Sequence, residues 1–219
     1  MILRRLVILL MCILCLGIVF AQDIVTLVNQ AENGDVNAQL ELGRRYYIGD
    51  GIQGDNVEAA KWYLMAAKAG AGFAEFRIGY MYMKGIGLEA DYPEAVYWLS
   101  KGAAQDERWA IYYLAEIYYE GYLGEPDFAK AFYLYMKNAE NGDDESQYMV
   151  GIMYEYGEGV SIDLNKAFFW IKKSAEQEHI DAQYELAYFY FEGIGVEKNE
   201  TEGTYWQEAA EENEYYYWW

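Results

Sequence analysis

The chain has 219 residues with only two prolines and 21 glycines, a length that holds one ordinary domain or a short repeat array. Hydrophobic residues make up 54%, with 24 Tyr, 9 Phe and 7 Trp, so a sizeable core is available, and the scarcity of proline favours helices broken at glycine-rich turns over a β-sandwich. A net charge of −20 sets the chain electrostatically against nucleic acid and anionic lipid.

Residues 1–21 read as a secretory signal. Arg4 and Arg5 form a basic start, Leu6 to Phe20 is apolar apart from Gly17, and Val19-Phe20-Ala21 offers small residues to a signal peptidase. Cleavage is expected between Ala21 and Gln22. The other reading is an uncleaved anchor, for which a span of ~20 residues is wanted and this run is short. Neither Cys12 nor Cys15 follows a small residue, as a lipidation box requires. Those are the two cysteines, so the mature chain would hold no disulfide and no thiolate metal site. Loss of Arg4 and Arg5 leaves 14 basic against 36 acidic residues, or −22. That charge steers in a partner with a basic surface, or simply keeps an aromatic-rich chain soluble. The expected location is exported, periplasmic or secreted, without stable membrane insertion after cleavage.

Residues 22–37 read as the second helix of a truncated leading repeat, an N-terminal cap, because Ala31 and Gly34 fall 36 residues before Ala67 and Gly70. Five repeats follow at 38–73, 74–109, 110–145, 146–181 and 182–219. Ala38, Ala74, Ala110, Ser146 and Ala182 open them. The next columns are Gly43, Gly79, Ala115, Gly151 and Ala187; Tyr46, Tyr82, Tyr118, Tyr154 and Tyr190; and Gly49, Gly85, Gly121, Gly157 and Gly193. Asp55, Asp91, Asp127, Asp163 and Asn199 come next, then Trp62, Trp98, Leu134, Trp170 and Trp206. The last repeat is expected to slip by one residue after Trp206.

Each column has a physical reading. Ala38, Leu42 and Tyr46 form one helical stripe, and the small residue beside it lets a neighbouring helix approach. Gly49 and its equivalents end the first helix in a left-handed residue. The Asp or Asn caps the second helix, and Asp55/Glu58, Asp91/Glu94 and Asn199/Glu202 have capping-box spacing. Pro93 falls in the first turn of a helix and Pro126 just before one, and Gly70 and Gly142 close two second helices. The unit is a helix–turn–helix hairpin, which must stack to bury its apolar face.

Catalytic and cofactor signatures are weak. His179, with Glu176, Glu178 and Asp181 nearby, reads as part of a solvated turn rather than a metal site. The G-x-G pairs follow helices and recur with the repeat, so they are turns and not phosphate cradles. Asn199-Glu200-Thr201 is a glycosylation sequon, but its Asn is better explained as a cap. No serine stands in a G-x-S-x-G context. No cofactor, metal or catalytic residue is expected.

The pattern A-x-x-x-L-G-x-x-Y-x-x-G-x-G-V, then D-x-x-K-A-x-x-W and A-A-x-x-G, resembles the Sel-one-like repeat over residues 23–214, as in AQLELGRRYYIGDGI and SQYMVGIMYEYGEGVSIDLNKAFFW. The third repeat departs most: Leu123 stands where the second glycine belongs and Leu134 replaces Trp, so its turn is expected to differ. The resemblance implies an all-α, right-handed α-solenoid related to tetratricopeptide repeats, in a family of adaptors and scaffolds with many exported bacterial members. Some secreted members with a cysteine framework are linked to β-lactam binding or hydrolysis, and others are immunity partners of antibacterial effectors. The mature chain lacks such cysteines.

By analogy with tetratricopeptide stacks, first helices line a concave face. The column Leu40, Phe76, Tyr112, Tyr148 and Tyr184 serves either packing or binding. Two columns vary in chemistry and are the stronger binding positions: Arg44, Tyr80, Glu116, Ile152 and Tyr188, and Tyr47, Met83, Tyr119, Glu155 and Phe191. The leading expectation is an exported interaction scaffold or adaptor, one form of which is the immunity partner of a secreted toxin, holding a basic protein in an aromatic, acidic groove. The alternatives are a cell-wall or β-lactam hydrolase and a structural spacer. The tail Tyr215–Trp219 reads as a hydrophobic lid on the last repeat.

Overall fold

A computed structural model describes residues 24–217, with side chains through residue 214. The expected secretory segment, its cleavage point and the side chains of the tail lie outside the described residues. Every described element is a helix: α1 (24–32), α2 (Val36–Ile48), α3 (Asn56–Lys68), α4 (Gly72–Lys84), α5 (Tyr92–Ala103), α6 (Arg108–Glu120), α7 (Phe128–Glu140), α8 (Asp144–Tyr156), α9 (Leu164–Ala175), α10 (Ile180–Glu192) and α11 (Glu200–Tyr217). The chain divides into two compact units, Met1–Gln105 and Asp106–Trp219. The first contains the hairpins α2/α3 and α4/α5, the second α6/α7, α8/α9 and α10/α11, and within each unit a hairpin's second helix packs on the first helix of the next.

The expected punctuation sets the helix ends. Asp55, Asp91, Asp127, Asp163 and Asn199 each accept backbone N–H bonds at the start of a second helix, as Asp55 does from Val57 at 2.9 Å. Each such cap contributes ~1 kcal/mol. Every first helix ends on a glycine at φ between 67° and 76°. The column that closes the second helices, Gly34, Gly70 and Gly142, also carries Asp106 and Glu178 at φ 59° and 67°, where a side chain is strained. The third-repeat turn does differ: Asp127 caps at φ −109° where Asp55, Asp91 and Asp163 lie between −147° and −150°.

Close packing within a hairpin rests on the small column of the first helix. A methyl group added at Gly43, Gly79 or Gly151 would stand 2.8, 2.7 and 2.6 Å from Tyr63, Leu99 and Ile171, which are themselves buried. Trp62 and Trp98 are buried at 4% and 6% exposure, beside Ala59, Ala66 and Ala95.

Two packing features depart from the sequence reading. The one-residue slip in the last repeat is absent. Gly203 and Ala210 are buried, 36 residues after the buried Ala167 and Ser174. Asn213 donates to Gln183 at 3.1 Å, thirty residues back, as Gln177 does to Gln147 at 2.8 Å. The pair Ala209-Ala210 suggested the slip because it mimics Ala66-Ala67, but a slip would abandon every one of these contacts. The second feature is a buried polar column. Gln39, Gln147 and Gln183 donate to the carbonyls of Ala31, Ala139 and Ala175, each eight residues earlier. They satisfy acceptors that the preceding helix leaves open at its end. In the second repeat Glu75 takes this place, 1% exposed, bonded to Gln105 at 2.7 Å and ion-paired with Lys101 at 3.3 Å.

Candidate protein-binding face

In the first unit, α2 and α4 present charge locked into a network. Arg44 donates to Glu41 at 2.9 Å and to Asp50 at 2.7 Å, and Arg45 donates to Glu41 at 2.7 Å. These bonds, chiefly that from Arg44, hold the Glu41 carboxyl down at about 2. The Arg77 guanidinium stacks 4.2 Å from the Tyr47 ring. Tyr80 is half-buried, with its ring 6.2 Å from that of Phe76. Met83 does not belong to this face. It is 3% exposed, and an unbranched side chain with no polar tip gains by folding under its neighbours. Phe76, at 6% exposure, is likewise a packing residue.

In the second unit, α6, α8 and α10 carry one cation, Arg108, against eight acids, Glu116, Glu120, Asp144, Glu145, Glu155, Asp181, Glu185 and Glu192. Tyrosines lie among them in graded exposure. Tyr112 is half-buried, its ring 5.6 Å from Tyr135, and burial pushes its hydroxyl up. Tyr119 is half-buried between Phe128 and Tyr135 and donates its hydroxyl to Glu158 at 2.8 Å. Tyr148 stacks on His179 at 5.0 Å, and burial, followed by Glu185 and Asp181, pushes its hydroxyl up to about 12. Tyr184 is 37% exposed and donates to Glu214 at 3.0 Å, while Tyr188 is 50% exposed. Glu116, Ile152 and Phe191 are half-buried.

Two carboxylates dominate the electrostatics. Burial raises the Glu155 carboxyl, and one of its oxygens, Oε2, is sealed from solvent without a hydrogen-bond donor. Burial also raises Glu185, and the charge of Glu155 raises it further. Among the described residues no lysine, arginine or histidine forms an ion pair with either. Glu185 and Tyr156, 64% exposed and hydrogen-bonded to Glu155, were not singled out from the sequence. The signal was available, because Glu185 stands three residues before Tyr188 and so on the same helix face.

His179 corrects the sequence reading. Its side chain is only 8% exposed and not in a solvated turn. Nδ1 accepts the Ala182 N–H at 3.1 Å and caps α10, leaving the proton on Nε2, which faces Glu145 at 3.3 Å. The ring's burial follows from that double role and from the stack on Tyr148.

A family model for the Sel1 repeat matches residues 36–70, 72–107, 110–143, 144–179 and 180–214. Among solved structures, a protective antigen of uropathogenic Escherichia coli with an SLR fold is 29% identical at a TM-score of 0.82, over 92% of this chain and 46% of that one. The chain thus spans about half the length of that relative. A Sel1 repeat protein from Oxalobacter formigenes is 30% identical at a TM-score of 0.76, over 81% of this chain and 73% of the other. An immunity protein from Pseudomonas aeruginosa shares the fold at 16% identity and a TM-score of 0.54, over 89% of this chain and 74% of that one. No curated protein is similar enough to count as a match.

Proposed function

We propose that this chain, which belongs to the Sel1 repeat family and has its α-solenoid fold, is an exported scaffold that holds a basic protein partner against its first helices. Sel1 repeats are protein-interaction scaffolds, and this chain acts by binding rather than by catalysis. The observation that carries the partner's chemistry is the pair Glu155 and Glu185, desolvated, raised and without a cation, among tyrosines on α8 and α10. A half-buried carboxylate without a cation costs free energy, and a partner's lysine or arginine brought beside it offsets that cost. Tyr188 and Tyr156 supply large contact area with a polar tip. Arg44, Tyr47, Tyr80, Glu116, Tyr119, Ile152 and Phe191 belong to the same reading, each within its own unit, with Tyr112, Tyr148 and Tyr184. Export is supported by residues 1–21, and no described helix is long and apolar enough to cross a membrane. Neutralising a secreted toxin is one form this function takes.

The test is recovery of the partner from the exporting host, followed by surface plasmon resonance. Tyr188→Ala is expected to cost ~1–3 kcal/mol of binding with the melting transition unchanged, because the side chain is exposed. Glu155→Gln and Glu185→Gln should slow association and flatten its salt dependence. A partner whose affinity ignored all three substitutions would overturn the reading.

A further inference from the structure

The second helices carry a row of aromatics that the first-helix face does not use. Tyr97, Tyr133, Phe169 and Tyr205 stand 36 residues apart and are 54%, 70%, 49% and 60% exposed. Each precedes a member of the Trp column, and three rings meet it edge-on, at 4.9 Å for Tyr97, 5.1 Å for Phe169 and 5.2 Å for Tyr205. Core packing accounts for the Trp column but not for its exposed neighbour, a position that Lys61 fills in the first repeat. Within the second unit, exposed rings repeated on successive hairpins, as at Tyr133 and Phe169, mark a candidate docking surface.

Around Tyr133 and Phe169 the charge is the reverse of that on the first helices, whereas α11, which carries Tyr205, is acidic. In the second unit, α7 and α9 hold five lysines, Lys130, Lys137, Lys166, Lys172 and Lys173, against one acid, Glu140. Asp127 and Asp163, the caps, pair with Lys130 and Lys166, and Asp106 pairs with Lys137 at 2.6 Å, which leaves Lys172 and Lys173 as the cations least engaged within the chain. Lys172 reaches Glu176 only at 3.9 Å, and Lys173 lies 4.9 Å over the Phe169 ring. One chain therefore carries an aromatic face rich in lysine and another rich in acid.

We propose that the lysine and aromatic face of α7 and α9 docks on the acidic first-helix face of a second copy of this chain. The inference rests on the first-helix face being a docking surface, as proposed above. The contact joins two different faces and is heterologous. The −20 charge of each copy opposes approach at long range, but at ~0.15 M salt the Debye length is ~8 Å, which leaves contact-range pairs to decide. A basic partner and a second copy compete for the same acids, so partner binding dissolves the self-association.

Sedimentation velocity of the mature protein between roughly 2 and 200 μM at ~0.15 M salt tests this. Concentration-dependent association is expected. The double variants Lys172→Glu/Lys173→Glu and Tyr133→Ser/Phe169→Ser, on one face, and Glu155→Lys/Glu185→Lys, on the other, should each weaken it at least ~10-fold while circular-dichroism spectra show each variant folded. The two charge-reversed variants, each monomeric alone, should associate when mixed, because each retains one native face. A protein monomeric throughout, association that survives the reversed faces, or a mixture that stays monomeric would overturn the proposal. The recovered partner separates this failure from that of the function: partner binding that still depends on Glu155 and Glu185 leaves the first-helix face standing, and its absence removes both.

Discussion

Replacing Gly51 and Gly87 by alanine, one at a time, isolates what one repeat gains from the next. Both are the second glycine of their turn, in the same unit, at φ 70° and 68°. An L side chain in this left-handed region costs roughly 1–2 kcal/mol, a term common to both. Their surroundings differ. Around Gly51 nothing lies within 4 Å of the added methyl, so the common term is the whole cost. At Gly87 the methyl would fall within the carbonyl group of Asn56, at the start of α3 in the preceding hairpin, and 2.9 Å from the Val57 nitrogen. Those atoms are backbone, fixed by the Asp55 cap, and cannot rotate aside. Overpacking of this kind adds ~1–3 kcal/mol, which brings Gly87→Ala to about 2–5 kcal/mol. Denaturant unfolding of the mature protein, followed by tryptophan fluorescence and circular dichroism, measures both. Repeat arrays do not always melt in one step, so the comparison is made on the first transition. Equal losses for the two variants would refute the claim that this turn is seated on its neighbour.

Trp98→Ala should cost ~3–5 kcal/mol, since the indole is 6% exposed in the core of the first unit, and a neutral denaturant melt would count against that packing. Glu178→Gly should stabilise the protein by ~1 kcal/mol, because Glu178 sits at φ 67° in a column that glycine closes at Gly34, Gly70 and Gly142. That gain corresponds to about 2–4 °C in a thermal scan of a chain this size, and a loss would mean that local contacts outweigh the strain.

The hairpins were legible because each boundary is a local chemical event. Five caps and five left-handed glycines fall where the 36-residue columns place them, and the third-repeat turn departs at Leu123 as its sequence suggests. The misreadings share another cause. Whether Met83 faces solvent or core depends on residues distant in sequence, and helical spacing reports only the face on which a side chain starts. His179 was misread because a turn residue that both caps a helix and faces a carboxylate looks, in sequence, like any histidine beside acids. Gln39, Gln147 and Gln183 went unnoticed because glutamine is ordinarily a surface residue, and the acceptor of each bond lies on the preceding helix. Glu185 shows the same limit at the candidate face: burial, and not the presence of a carboxylate, distinguishes it from the other acids.

Burial gives Glu155 and Glu185 opposite effects on stability and on binding, and pH separates them. Both carboxyls are raised above the ordinary 4.5, burial being the first cause in each. A raised carboxyl favours the folded state fully below that ordinary value, and the contribution is lost as pH rises through the folded one. Ionisation of either group as pH rises above 4.5 therefore comes at the expense of the fold. Glu155→Gln and Glu185→Gln should each raise the Tm at pH 7, and the gain should vanish by about pH 4, where the native carboxyls already bind protons. Glu41 provides the contrast. Arg44 holds it at about 2, so its contribution is present above 4.5 and is lost as pH falls toward 2, and Glu41→Gln should lower the Tm at pH 7. Thermal scans at pH 4 and pH 7 on the three variants measure the sign in each case. The same substitutions at Glu155 and Glu185 should weaken a basic partner, so stability and binding would change in opposite directions at one pair of residues. A Glu155→Gln variant no more stable than the native protein at pH 7 would mean that the carboxylate is already satisfied within the fold, and the argument for a cationic partner at α8 and α10 would lose its footing.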